Sequence, residues 1–334
     1  MIRPEALLRQ TPQGLYCPPG DFYIDPVQPV DRAVITHGHA DHARAGHGTV
    51  VATSPTLAIM GCRYGEDFTG TRQAVDYGET LVRDGVEVSL VPAGHVLGSA
   101  QAVVRWKGLT IAVSGDYKRR RDPTCAPFEP VPCDVFVTEA TFGLPVFIHP
   151  DDAGEIAKLL KSVEQFPERA HMIGAYALGK AQRVIRLLRE AGWERPIYVH
   201  GALERLNSLY EDFGVDLGPL APATGDKRDF AGEIIIAPPS ALADRWSRRF
   251  PDPVSAFASG WMSVRARARQ RGVELPLILS DHADWEELTA TLDELRPGEV
   301  WITHGREEAL CRWAELHGLS ARALRLVGYE DEDT

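Results

Sequence analysis

Thr36-His37-Gly38-His39-Ala40-Asp41-His42 places three imidazoles and one carboxylate within the six residues from His37 to His42. The apolar run Ala33-Val34-Ile35 just before it reads as a buried strand. Ligands at the end of a strand point out of the sheet edge into a loop, where a metal or a substrate can reach them. His37 and His39 alternate along the chain, so both can face one side. Asp41 and His42 follow after the chain has begun to turn and can face a second point. The spacing therefore suits two adjacent metal ions better than one, and imidazole with carboxylate favours zinc, manganese or iron. A lone histidine would more simply be a core or surface side chain. H-x-H-x-D-H at a strand end points to ligation.

Other strand ends carry the same kind of residue. Val86–Val91 leads through Pro92-Ala93-Gly94 to His95, and Leu109–Val113 leads through Ser114-Gly115 to Asp116. Ala100–Trp106 is a further run, turning at Lys107-Gly108. Val135–Thr138 leads to Glu139, Leu275–Leu279 to Ser280-Asp281-His282, and Val300–Thr303 to His304. Several loops thus converge on one sheet edge. Between about 150 and 275 helix and strand alternate: helices over Glu155–Glu164 and Leu178–Ala191, strands over Ala170–Ala175, Ile197–Val199, Glu233–Ala237 and Val254–Ala258. This reads as a small α/β unit with a parallel sheet. Helices Asp284–Leu295 and Arg306–His317 and a last strand Ala321–Val327 close the chain. The simplest architecture is a two-sheet sandwich with outer helices, interrupted by an α/β insert.

A chain of 334 residues, 44% hydrophobic and 25% charged, can bury one large core or two modest ones. No stretch approaches a membrane span. Met1 to Gln13 lacks an apolar signal segment, so a cytoplasmic address is expected. The five cysteines are scattered with no C-x-x-C pair, which argues against a disulfide framework and fits a reducing compartment. A net charge of −11 argues against nucleic-acid binding by the whole surface and leaves a local basic groove open. The acidic tail Glu330-Asp331-Glu332-Asp333 reads as frayed and idle.

The candidate ligands divide into two sets. His37, His39 and His95 would hold one metal, Asp41, His42 and His304 a second, and Asp116 can bridge both. A bridging carboxylate and hydroxide hold ions about 3.5–4 Å apart, the geometry for in-line displacement at phosphorus. Cleaving a phosphodiester expels an alkoxide, so a proton donor is valuable. His282 is the candidate donor, because the metal shells do not need it, and Glu139 can orient it.

The stretch from His37 to Asp116, with His304, resembles the metallo-β-lactamase superfamily. Further features resemble its β-CASP nuclease branch: Glu139 in Thr138-Glu139-Ala140-Thr141-Phe142-Gly143, the insert with Ala177-Leu178-Gly179-Lys180-Ala181-Gln182, Ser259-Gly260 ahead of a basic run, and His282. Gly14-Leu15-Tyr16-Cys17-Pro18, Phe22-Tyr23-Ile24-Asp25-Pro26 and Phe142-Gly143-Leu144-Pro145-Val146-Phe147 are similar, more narrowly, to bacterial ligase-associated DNA exonucleases. The resemblance implies an α/β protein: an αββα sandwich in two parts, residues 1–150 and 276–334, with an inserted β-CASP α/β domain at 151–275. It implies two divalent metal ions, zinc and/or manganese. It also implies a DNA exonuclease acting in DNA repair beside an ATP-dependent ligase and a helicase, with attack from the 5′ end.

His304 stands where RNA-cleaving members of that branch have histidine, so an RNA 5′-exonuclease or endonuclease is the alternative. A thioesterase or lactonase would share the metal ligands but lack the insert, Glu139 and His282. Expected catalytic residues are Asp41, His282 and Glu139. Phosphate contacts are expected from Lys118 and Arg119, just after Asp116, from Lys180 at a helix start, and from Ser259 and Arg265. Trp261 could stack on a base. Arg265, Arg267, Arg269 and Arg271 recur every second residue and share one face only if that segment is extended.

Overall fold

The computed structural model describes residues 2–224, 230–250 and 252–324. The acidic tail and the end of the expected strand Ala321–Val327 lie outside these. The chain divides into two compact units, one of residues 2–148 and 282–324, the other His149–Asp281.

The first unit holds two sheets. In one, six strands lie side by side in chain order, from Arg9–Thr11 and Gly14–Cys17 through Phe22–Ile24, Arg32–Val34 and His47–Ala52 to Thr69–Ala74. From Phe22–Ile24 onward neighbouring strands are parallel. In the other, seven strands run in the order Ser320–Ala323, Glu299–Gly305, Val135–Ala140, Leu109–Val113, Ala100–Trp106, Val86–Pro92, Thr80–Arg83. The last four form an antiparallel meander. Leu109–Val113, Val135–Ala140, Glu299–Gly305 and Ser320–Ala323 are mutually parallel neighbours.

Period-two alternation sorts the side chains between faces. Val88, Leu90, Ala102, Val104, Ile111, Val113, Val135, Val137 and Trp301 join Leu15, Phe22, Ile24 and Val34 of the first sheet in one buried core. Their neighbours Val103, Ala112, Phe136, Val300 and Ile302 turn the other way and pack on Leu288, Leu292, Leu310 and Ala314. Those four belong to helices Trp285–Leu295 and Glu307–Leu316. The outer face of the first sheet is covered by Leu57 and Met60 of helix Ser54–Tyr64. Each fully buried large apolar side chain contributes roughly 1.5–3 kcal/mol relative to exposure.

The second unit is a six-stranded parallel sheet, ordered Leu220–Pro222, Ile197–Val199, Ile234–Ala237, His171–Gly174, Val254–Ala258, Leu275–Leu277. Its main helices are Asp152–Gln165, Lys180–Glu190 and Gly201–Asp212. The segment Arg265–Gln270 is helical, so its arginines spread around an axis instead of sharing one face. Among the described residues no helix is long and apolar enough to cross a membrane.

Candidate metal centre

Parallel pairing brings the chemistry to one place. Strands that are parallel neighbours end at the same edge, and Asp116, Glu139 and His304 each lie at the end of, or just past, one of three such strands. His304 is aimed by an irregularity. Thr138 pairs with Ile302 but Ala140 pairs with Gly305, so the strand bearing His304 carries an extra residue. His304 adopts a left-handed backbone, φ 55°, which a non-glycine residue holds only when its surroundings enforce it.

Two ligand sets converge, and Asp116 belongs to both. In the first, one donor atom each from His37, His39, His95 and Asp116 lies within 4.8 Å of the others. In the second, His42, Asp116 and His304 do the same. Asp116 Oδ2 is 3.3 Å from His37 Nε2, 3.5 Å from His42 Nε2 and 3.8 Å from His95 Nε2. Asp41 stands beside the second set, its Oδ2 3.7 Å from His42 Nε2.

The site suits a cation. His37 Nε2 and Asp41 Oδ1 are buried and have no hydrogen-bond partner among the described residues. Leaving such a group unsatisfied costs about 1–3 kcal/mol. Burial, followed by the neighbouring histidines, holds the pKa of His37 and of His304 well below the usual imidazole value. Both are therefore neutral, the form that binds metal. For His42, burial also opposes the charge, but Asp116, Asp41 and Asp25 outweigh it and push the pKa up to about 10. Burial raises the Asp116 pKa, while His42 draws it back.

A carboxylate that the sequence reading did not assign to the site supports it. Asp25 Oδ2 is 2.8 Å from His42 Nδ1 and accepts a hydrogen bond from the Thr36 hydroxyl at 2.6 Å, and Oδ1 accepts the Thr36 N–H at 2.8 Å. Thr36 Oγ1 is in turn 3.0 Å from His37 Nδ1. Asp25 thus fixes one imidazole directly and another through Thr36. The available signal was strand pairing. Phe22–Ile24 is the parallel neighbour of Arg32–Val34, so the residues just past both strands meet.

His282 and Glu139 form a pair next to this cluster. His282 Nδ1 is 3.1 Å from Glu139 Oε2 and 3.2 Å from Oε1, and Oε1 also accepts the Tyr117 N–H at 2.8 Å. The rings of His282 and His95 are 4.7 Å apart. Asp116, Glu139 and His282 also converge within 4.8 Å of one another.

Several expected phosphate contacts change character. Lys118, 1% exposed, is buried against Glu287, with Nζ 3.2 Å from Oε2. Lys180, also 1% exposed, is buried against Asp281, 2.5 Å from Oδ1, and donates to the Leu279 carbonyl. Their heads are spent on carboxylates because each stem enters a packed interior, which a charge pattern alone does not reveal. Ser259 is buried and caps the Trp261 N–H. Trp261 is only 8% exposed, with Arg267 over its ring. Arg119 pairs with Glu294. Arg265 is exposed.

Glu287 is expected to make the first unit sensitive to acid. Burial alone would raise its pKa, but Lys118, the Arg120 N–H and guanidinium, and the Asp284 N–H together lower it below 4.5. A lowered carboxyl contributes stability above its unfolded pKa and loses it as pH falls through the folded value. Glu287→Gln is therefore expected to melt well below the parent at neutral pH, with the gap closing below about pH 4. Thermal melts from pH 3 to 8 check this, and a gap constant across the range would refute it.

No family model matches the chain. It is 28% identical over 320 residues to a protein named probable DNA ligase from Opitutus terrae, a match covering 93% of this chain and 30% of that protein. It is 32% identical over 143 residues to endoribonuclease ysh1 of Aspergillus fumigatus, covering 41% of this chain and 16% of that one. With cleavage and polyadenylation specificity factor subunit 3-I of Arabidopsis thaliana it shares 23% identity, across 87% of this chain and 54% of that protein. The chain spans about half or less of the length of these relatives. A crystal structure of a protein of unknown function from Enterococcus faecalis V583 shares the fold, with TM-score 0.57, 14% identity, and coverage of 89% of this chain and 79% of that one.

Proposed function

We propose that this chain, which belongs to the β-CASP nuclease branch of the metallo-β-lactamase superfamily, is a two-metal DNA exonuclease that hydrolyses phosphodiester bonds. The observation that carries the reading is the adjacency of two ligand sets sharing Asp116 to a histidine held on its own carboxylate. In this reading the first unit is the αββα metallo-β-lactamase domain and the second is the β-CASP insert. The fit of the donor set supports zinc and/or manganese held by His37, His39, His95 and Asp116 and by Asp41, His42, His304 and Asp116. When bound, these ions would supply Lewis-acid polarisation of the phosphoryl oxygens.

The remaining work falls to the chain's own residues. Asp25 and Thr36 hold the His42 and His37 rings in orientation. Glu139 accepts the Nδ1–H of His282, which leaves Nε2 to deliver a proton to the departing oxygen. Asp41, its Oδ2 3.7 Å from His42 Nε2, is the remaining catalytic candidate in this reading. Exposed arginines such as Arg265 are the candidates for phosphate contact. The match to a protein named probable DNA ligase supports action beside a DNA ligase; an ATP-dependent ligase, a helicase and DNA repair in the cytoplasm complete the reading. His304, grouped in the second ligand set, and the endoribonuclease-named relative favour a second reading, an RNA 5′-exonuclease or endonuclease.

His282→Ala is expected to lower the rate by about 10²–10⁴-fold with metal content unchanged. Loss of metal in that variant would mean that His282 is a ligand. Single-stranded DNA and RNA of one sequence, labelled at either end and incubated with zinc or manganese, test the reading itself. Release of mononucleotides from DNA is the expected result. Cleavage of RNA alone would favour the second reading, and cleavage of neither would overturn both.

A further inference from the structure

Lys118 lies two residues beyond Asp116 and is almost fully buried. Its Nζ donates to the His282 carbonyl at 3.2 Å and to Glu287 Oε2 at 3.2 Å. Glu287 Oε1 accepts the N–H groups of Arg119 at 2.9 Å and Arg120 at 2.6 Å. On the same strap, the Ala283 N–H donates to the Tyr117 carbonyl at 2.7 Å, and the Tyr117 N–H donates to Glu139 Oε1 at 2.8 Å. The segment that begins at Asp116 is therefore stitched to both halves of the His282–Glu139 pair.

A buried ion pair is a poor device for stability alone, since apolar side chains of the same volume often do as well or better. An apolar pair cannot hold a backbone carbonyl in place. We infer that Lys118, backed by Glu287, is a positioning residue that fixes His282 relative to Asp116. This rests on the reading of His282 as the proton donor. Lys118 does not touch substrate. It acts through the turn that carries the donor, and donors work only within tight geometric limits.

The test exploits the leaving group. An alkoxide expelled from DNA needs a proton, whereas p-nitrophenolate expelled from bis(p-nitrophenyl) phosphate does not. Lys118→Met, assayed as the full chain with manganese, should lower kcat on single-stranded DNA by roughly 10²-fold, the cost of a small misplacement. KM and bound metal should stay at parental values. The rate on the activated diester should fall at least about tenfold less than the rate on DNA. His282→Ala should show the same selectivity.

Equal losses on both substrates, a change in KM instead of kcat, or loss of metal would overturn the inference. If Lys118→Met does not accumulate as folded protein, Lys118→Met/Glu287→Gln removes both buried charges, and the same ratio is expected of it. If neither variant folds, the pair is structural and the inference fails. A parent chain that cleaves neither substrate overturns the nuclease reading itself, a result distinct from all of these.

Discussion

Asp116→Ala is expected to lose bound metal and, with it, the proposed nuclease activity. Among the described residues no other side chain belongs to three of the converging groups: both ligand sets and the Glu139–His282 group. Its Oδ2 lies within 3.8 Å of His37, His42 and His95. Removing it takes away the carboxylate that would offset the charge of metal bound there and leaves the imidazoles facing one another. The expected activity loss is roughly 10²–10³-fold or more, the scale of deleting one group that stabilises developing charge. Metal per chain should fall in the same preparation. Elemental analysis of the purified variant, with circular dichroism to establish folding, makes the comparison. Undiminished activity would point to a contaminating enzyme, and full metal content would show that Asp116 is not a ligand.

Gly305→Ala should destabilise the first unit by about 3 kcal/mol, the upper end for enforced backbone strain. Gly305 has φ +103°, and a Cβ there would meet the Ala140 carbonyl oxygen at 2.2 Å. That contact is backbone on backbone, so no rotamer relieves it. Relief requires the strands Val135–Ala140 and Glu299–Gly305 to part where His304 is aimed. The variant should therefore also bind metal less completely. Gly201→Ala is the control, because its Cβ meets nothing within 4 Å and its φ is ordinary. A melting temperature for Gly305→Ala equal to that of the control would remove the argument.

These two cases mark what a sequence can and cannot disclose. His37, His39 and His42 are close in space because they are close in the chain. His95 and Asp116 follow strands whose apolar alternation is plain, so the strand ends could be read and, with them, where the side chains emerge. His304 could be named as a candidate, but its left-handed backbone and the extra residue that aims it belong to strand pairing, which no local pattern encodes. Asp25 escaped for the same reason. Lys118 and Lys180 read as phosphate contacts because charge and position in the chain are the only signals a lysine gives, and burial is decided by distant partners. Thr69–Ala74 and Thr80–Arg83 are largely exposed strands with little apolar rhythm, and neither was anticipated. Helix Gly201–Asp212 buries Leu203, Leu206 and Tyr210 at helical spacing and could have been found.

The second unit is spliced between two strands that pair directly, Val135–Ala140 and Glu299–Gly305. A ribosome making this chain completes every strand of the spliced unit, the last ending at Leu277, before it reaches Glu299. That unit can close while the earlier one still presents Val135–Ala140 as a bare, apolar edge. Such edges recruit other strands. Slow translation past Leu277 would lengthen this exposure, so aggregation during synthesis should grow with pausing there and shrink when a chaperone shields the nascent chain.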